Sequence, residues 1–151
     1  MSFNAKPKAD LLVDLLVFNN LTTFSAGTVW TVNDTPINTS AVIDSNGYIQ
    51  LHNNSSWRLE ANVLARFNSY TADYYFKVQF YDGANYIGQY GRPSKLSNTE
   101  QTKGSCSVLL PASTISTSIT IYPKVESMLG TPNYDGTYAP LPSIRIYEIK
   151  H

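Results

Sequence analysis

Chemistry in this chain would fall to very few groups. It holds two histidines, His52 and His151, a single cysteine, Cys106, and eleven carboxylates. Two His and one Cys cannot complete the usual four N/S ligands of a structural zinc site. A Ser-His-acid triad would have to use His52, yet no G-x-S-x-G or comparable nucleophile turn is present. His52 follows "YIQL" and reads as a strand-end or turn residue. Glycoside hydrolysis needs two carboxylates flanking a cleft. The acids are Asp10, Asp14, Asp34, Asp44, Glu60, Asp73, Asp82, Glu100, Glu126, Asp135 and Glu148, and they form no recognisable pair. Five of them, Asp34, Asp44, Asp73, Asp82 and Asp135, have the neighbours usual for turn acids. Loop carboxylates and carbonyls could build a calcium site, but no D-x-[DN]-x-[DN]-G run is present. No Walker loop occurs, and no Gly-rich turn leads into a helix. The expectation is a protein that is not an enzyme, with no cofactor and no metal.

Composition directs attention to binding instead. Charged residues make up 15% of the chain, against roughly 25% in ordinary soluble domains. Eleven basic and eleven acidic residues cancel. That argues against nucleic acid or an anionic membrane as partner, since both are held by clustered Lys and Arg. Much of the surface must then be Asn, Ser, Thr and Tyr, which suits contact with protein or glycan. Of the 11 tyrosines, Tyr70, Tyr86, Tyr90, Tyr134 and Tyr138 are expected in loops. Loop tyrosines offer flat rings with a polar tip for protein contact or sugar stacking. They serve equally to cover strand ends or to pack between subunits. The "TPNYDGTYAP" loop, 131–140, is the first candidate for partner contact, with Tyr134 and Tyr138, and Tyr86 and Tyr90 join it.

Elements that could position these residues follow from periodicity. "SSWRLEANVLARF" places Trp57, Leu59, Ala61, Val63, Ala65 and Phe67 on one side of a strand and Arg58, Glu60, Asn62, Leu64 and Arg66 on the other. "DYYFKVQFYDG" alternates Tyr74, Phe76, Val78, Phe80 against Tyr75, Lys77, Gln79, Tyr81, and Asp82-Gly83 turns the chain. "SCSVLLP" reads as a strand ended by Pro111, with Cys106, Val108 and Leu110 facing inward. "STISTSITIYPKV" and "SIRIYEIK" read as two more, and "TVWTV" as a short one. Asn46-Gly47 signals a two-residue hairpin. "RPSKLSNTEQTKG" reads as a polar loop. "ADLLVDLLVFNN" carries Leu11, Leu12, Leu15 and Leu16 at helical spacing with Asp10 placed to cap. So short a run fits an amphipathic helix or a buried first strand. The fold class expected is all-β, an antiparallel β-sandwich or jelly roll. A flexible N-terminal arm of residues 1–10 precedes a single domain of residues 11–150. Cys106 leaves no intrachain disulfide, no secretory leader opens the chain, and no apolar run reaches membrane length. Asn20, Asn33, Asn38, Asn53 and Asn54 stand in N-x-[ST] triplets and read as turn residues.

The run "NGYIQLHNNSSWRLEANV", then "YYFKVQFYDG", "CSVLLP", "STSITIYPKV" and "SIRIYEI" resembles the trimeric jelly roll of the tumour-necrosis-factor and complement-globular-head superfamily. It is most similar to the versions in tailed-bacteriophage virion proteins. Gly47-Tyr48, Leu51 and Trp57-Arg58-Leu59 stand at the motif positions, with Asn53-Asn54 replacing the usual turn glycine. The resemblance covers about residues 41–149. It implies a homotrimer at the virion surface, made in the host bacterial cytoplasm and held to the major capsid protein or another virion protein. The arm and Leu11, Leu12, Leu15 and Leu16 would anchor it. Met1, one domain and a closing strand read as a small self-contained product, which fits capsid decoration better than a long fibre. Two other readings stand beside it. One is a fibre or spike tip recognising a host-surface glycan or protein. The other is a monomeric carbohydrate-binding module, which requires a flat aromatic strip on one sheet.

Overall fold

The computed structural model describes residues 10–19, 25–67, 74–95, 101–130, 132–133 and 142–151. Eleven strands follow in chain order: β1 Asp10–Val17, β2 Val42–Ile43, β3 Ile49–His52, β4 Ser55–Phe67, β5 Tyr74–Tyr81, β6 Tyr86–Gly91, β7 Ser94–Lys95, β8 Gln101–Leu110, β9 Ser118–Leu129, β10 Pro132–Asn133 and β11 Ser143–Lys150. One 3₁₀ turn, Ala112–Thr114, lies between β8 and β9. All pairings are antiparallel, in the order β1-β11-β4-β8-β6-β5-β9-β3-β2, with β10 on β4 and β7 on β5. This is the all-β sandwich expected from the alternation.

The core is the inner side of that curled sheet. Trp57, Leu59, Ala61 and Val63 of β4 are buried, facing Phe76, Val78 and Phe80 of β5 and Ile49, Leu51, Ile121, Val125, Ile144 and Ile146 of other strands. Each large apolar side chain removed from water contributes about 1.5–3 kcal/mol, so the β4 face alone is a major stabilising element. Trp57 also donates its indole N–H to the His52 carbonyl at 2.9 Å. Cys106 is buried as expected, and burial pushes its thiol up to about 12.

At the chain start the helix alternative fails. β1 pairs with β11 from Asp10↔Lys150 to Val17↔Ser143, and alternation replaces helical spacing. Asp10 is therefore a strand residue and not a cap. Leu16 is buried and Leu12 half-buried, while Leu11 and Leu15 are 60% and 59% exposed. The four leucines do not share a face. Leu11, Val13, Leu15 and Val17 do, on the outer side of an edge strand. The Asn38 amide donates to the Val13 carbonyl at 3.0 Å, which interrupts the free edge.

Other departures have local causes. "TVWTV" forms only isolated bridges, Phe18↔Val32 and Val29↔Lys124. Trp30 N–H donates to the Pro123 carbonyl, but Pro123 has no N–H to return the bond, so the ladder stops. Asn46-Gly47 belongs to a three-residue loop. Gly47 N–H donates to Asp44 O, Asp44 N–H to Tyr48 O, and Gly47 takes φ +80°. That is a type I turn followed by a left-handed residue, the common alternative to a two-residue hairpin. Ile115–Thr117 lies outside β9, although Ile115 is buried. The supposed polar loop "RPSKLSNTEQTKG" contains β7 and the start of β8.

Candidate binding face

Three groupings stand out, one polar, one aromatic and one apolar, and their wiring separates structural from recognition roles. The first lies where the 34–40 loop crosses β1, β3 and β11. Asp14 is 3% exposed and accepts from the amides of Ile37 (3.1 Å), Asn38 (3.0 Å) and Thr39 (2.7 Å), and from the Thr39 hydroxyl (2.7 Å). Burial pushes its carboxyl up, but the Thr39 hydroxyl and then the three amides outweigh that and hold it below the ordinary value. Glu148, fully buried, accepts from Ser40 N–H at 3.1 Å and from the Ser40 hydroxyl. His52 completes this group, with Nε2 2.5 Å from Ser40 Oγ and 3.5 Å from Glu148 Oε2.

Serine, histidine and glutamate thus meet, a proximity that the sequence did not reveal. Their order is not that of a nucleophile-base-acid relay. His52 Nδ1 accepts the Asn54 N–H at 3.1 Å, so the neutral ring carries its proton on Nε2. A protonated Nε2 facing Ser40 cannot take a proton from it, and Ser40 already donates to Glu148. The group is a clasp that, with Asp14, pins the loop to the sheet.

The second grouping is a row of tyrosines. Tyr81 of β5 has Tyr122 of β9 and Tyr86 of β6 as its direct Cα partners. Ile49 pairs with Ile121, so Tyr48 falls beside Tyr122. The rings follow this register: Tyr48–Tyr122 centroids are 4.0 Å apart and stacked, Tyr81–Tyr122 5.9 Å, and Tyr81–Tyr86 4.9 Å. Four rings therefore cross four adjacent strands, about 14 Å at the usual interstrand spacing. All four are half-buried. Burial first, and then the neighbouring Glu126 and Tyr81, push the Tyr86 phenol up. Burial, then Tyr48, Tyr81 and Asp82, do the same to Tyr122. Both hydroxyls remain hydrogen-bond donors at neutral pH.

Cations sit on these and neighbouring rings. Lys124 Nζ lies 4.1 Å from the Tyr81 centroid and 5.9 Å from that of Tyr86. Lys77 lies 4.3 Å over Tyr90 and 2.7 Å from Glu126. Arg92 lies 4.1 Å over Tyr75. Gln79, the Cα partner of Lys124, donates to the Gly88 carbonyl at 2.8 Å. The outer side of β3-β9-β5-β6 is an aromatic face with cations laid onto it.

The third grouping is the apolar stripe Leu11, Val13, Leu15 and Val17 on β1.

The expected contact residues divide accordingly. Tyr86 and Tyr90 lie on β6 and not in a loop, because the Asp82–Asn85 turn pairs Tyr81 directly with Tyr86. Tyr86 joins the row, and Tyr90, 57% exposed, stands on the same face with Lys77. Tyr134, Tyr138 and Tyr70 lie outside the described residues. Tyr48, Tyr81, Tyr122 and Lys124 were not anticipated as site residues. A signal for one pair existed, since the Asp82-Gly83 turn flanked by Tyr81 and Tyr86 implies that they face each other. Among the described residues no three His, Cys, Asp or Glu side chains gather as metal ligands, and no helix is long and apolar enough to cross a membrane.

Neither the protein-family models nor the curated proteins match this chain. Among solved structures, a CBM35 module from Cellvibrio japonicus Abf62 is similar at a TM-score of 0.37 and 13% identity, covering 92% of this chain and 98% of that one. A likeness of this extent carries no conclusion about this chain, and it adds nothing for the virion family that the sequence resembles.

Proposed function

We propose that this protein is a non-enzymatic recognition domain that binds glycan on the tyrosine face of β3, β9, β5 and β6. The observation that carries this reading is the in-register row Tyr48, Tyr122, Tyr81 and Tyr86. It is an aromatic strip on one sheet, stepped and not flat, with Tyr48 stacked on Tyr122 and the Tyr81 ring turned 58° from Tyr122 and 56° from Tyr86. Rings supply apolar area at little conformational cost, and phenol hydroxyls supply donors at their rims. Its length suits an oligosaccharide better than a single sugar ring. The sparse charge of the chain fits a ligand read by hydrogen bonds and apolar contact.

The test is a glycan array followed by calorimetry of the best responder. Saturable binding should fall by about tenfold or more in Tyr81→Ala and Tyr122→Ala, the scale of a buried aromatic contact, while Tyr90→Ala has less effect. A protein ligand bound by this face, with no glycan bound, would replace the reading.

A second reading concerns mounting. Four apolar side chains, each at least 36% exposed, line one side of edge strand β1. Apolar edge strands are sites of association. In a trimer on a virion, as the sequence resemblance implies, this stripe would meet another copy or the capsid protein, leaving the tyrosine face outward for a host-surface glycan.

A further inference from the structure

The proposed glycan face is not neutral, and its cations occupy the surfaces that a sugar would use. Lys124 lies directly over Tyr81 and near Tyr86. Among the described residues it has no ion-pair partner. Lys77 is engaged by Glu126 at 2.7 Å. Arg92 lies over Tyr75 and has no ion-pair partner among the described residues. The other acid at the row, Asp82, turns one carboxylate oxygen to the amides of Ala84 and Asn85 at 2.9 and 2.7 Å. Among the described residues, Lys124 is thus the cation on the row that no carboxylate pairs with.

This placement discriminates between ligands. A neutral sugar that stacks on Tyr81 must first displace the Lys124 ammonium, and only water or a sugar hydroxyl, with no opposite charge, then takes the place of the cation–π contact. A sugar bearing a carboxylate gives the ammonium a partner as it leaves the ring. The same displacement then uncovers the aromatic surface and forms a charge-assisted hydrogen bond. Gln79, opposite Lys124 in the register, adds an amide beside that position.

Building on the glycan reading, we infer that the face selects carboxylated glycans, with Lys124 as the group that pairs with the sugar carboxylate. The matched probes are an oligogalacturonate and its methyl ester, which share a backbone and differ in charge, beside a panel of neutral gluco-oligosaccharides. The acid should bind about tenfold tighter than the ester, and the gap should shrink as salt rises. Lys124→Gln, checked for an unchanged melting temperature, should abolish the gap by weakening the acid and strengthening the ester, which no longer has an ammonium to displace from Tyr81, and Lys124→Arg should keep it. Equal binding of acid and ester, or tighter binding of the neutral panel, would overturn the selectivity while leaving the glycan reading in place. A gap that persists in Lys124→Gln would remove Lys124 from it. Failure of every saccharide to bind would remove both.

Discussion

Replacing Asp14 by alanine is the sharpest test of how this sheet end is held. The carboxylate accepts bonds from three consecutive amides and the Thr39 hydroxyl, all within 3.1 Å. Hydrogen bonds to a charged group contribute about 1.5–3 kcal/mol each. Ile37 and Asn38 are exposed, so water replaces part of their loss. Thr39 is buried, and its two donors would be left without an acceptor. The loss should therefore come to about 3 kcal/mol, dominated by Thr39. With a urea m-value of about 2 kcal/mol/M, the midpoint should fall by about 1.5 M. Trp30 and Trp57, both buried, report unfolding by fluorescence. The pH dependence has a definite sign. Because the folded carboxyl titrates below its ordinary value, its contribution is present above the unfolded pKa of about 3.9. It is lost as pH falls through the lower folded value. The gap between wild type and Asp14→Ala should be full at pH 7 and narrow below about pH 4. Equal midpoints at pH 7 would refute the clasp, and so would a gap undiminished at the lowest pH where both proteins fold.

Four further outcomes follow from the structure. Gly88→Ala places a Cβ 2.2 Å from the Ser107 carbonyl oxygen at a φ of +77°, so thermal unfolding should show a loss of about 2 kcal/mol or more. Cys106 should stay silent to a thiol reagent at pH 8 in the folded protein and release one equivalent in urea, since burial raises its pKa to about 12. Leu11→Asp with Leu15→Asp should leave the melting temperature nearly unchanged, because both side chains face out, yet abolish any association seen by sedimentation. Leu16→Ala should instead cost about 2–5 kcal/mol as a core cavity.

How much of this was legible depended on the range of the interactions. β4 runs over the same Ser55–Phe67 stretch that the alternation marks, because six alternate apolar residues from Trp57 to Phe67, with only Leu64 out of pattern on the other side, admit no helical alternative. β1 was ambiguous, since eight apolar-rich residues fit both periods, and only pairing with β11 decides. "TVWTV" has strand propensity, but its ladder is cut short by Pro123, more than ninety residues away in sequence. The tyrosine row was half visible. The turn aligns Tyr81 with Tyr86, but the pairing of β9 with both β5 and β3 is non-local and leaves no local trace. The Ser40, His52 and Glu148 clasp was hidden for the same reason, with Glu148 108 residues from Ser40.

The central claim is that a sheet face does the recognising. Amide chemical-shift mapping tests it most directly, with an oligogalacturonate or the strongest array glycan titrated into labelled protein. The account predicts perturbations centred on Tyr48, Tyr81, Tyr86, Tyr122 and Lys124, with β1 and β11 unmoved. Perturbations centred on Leu11–Val17, or none at millimolar saccharide, would contradict it.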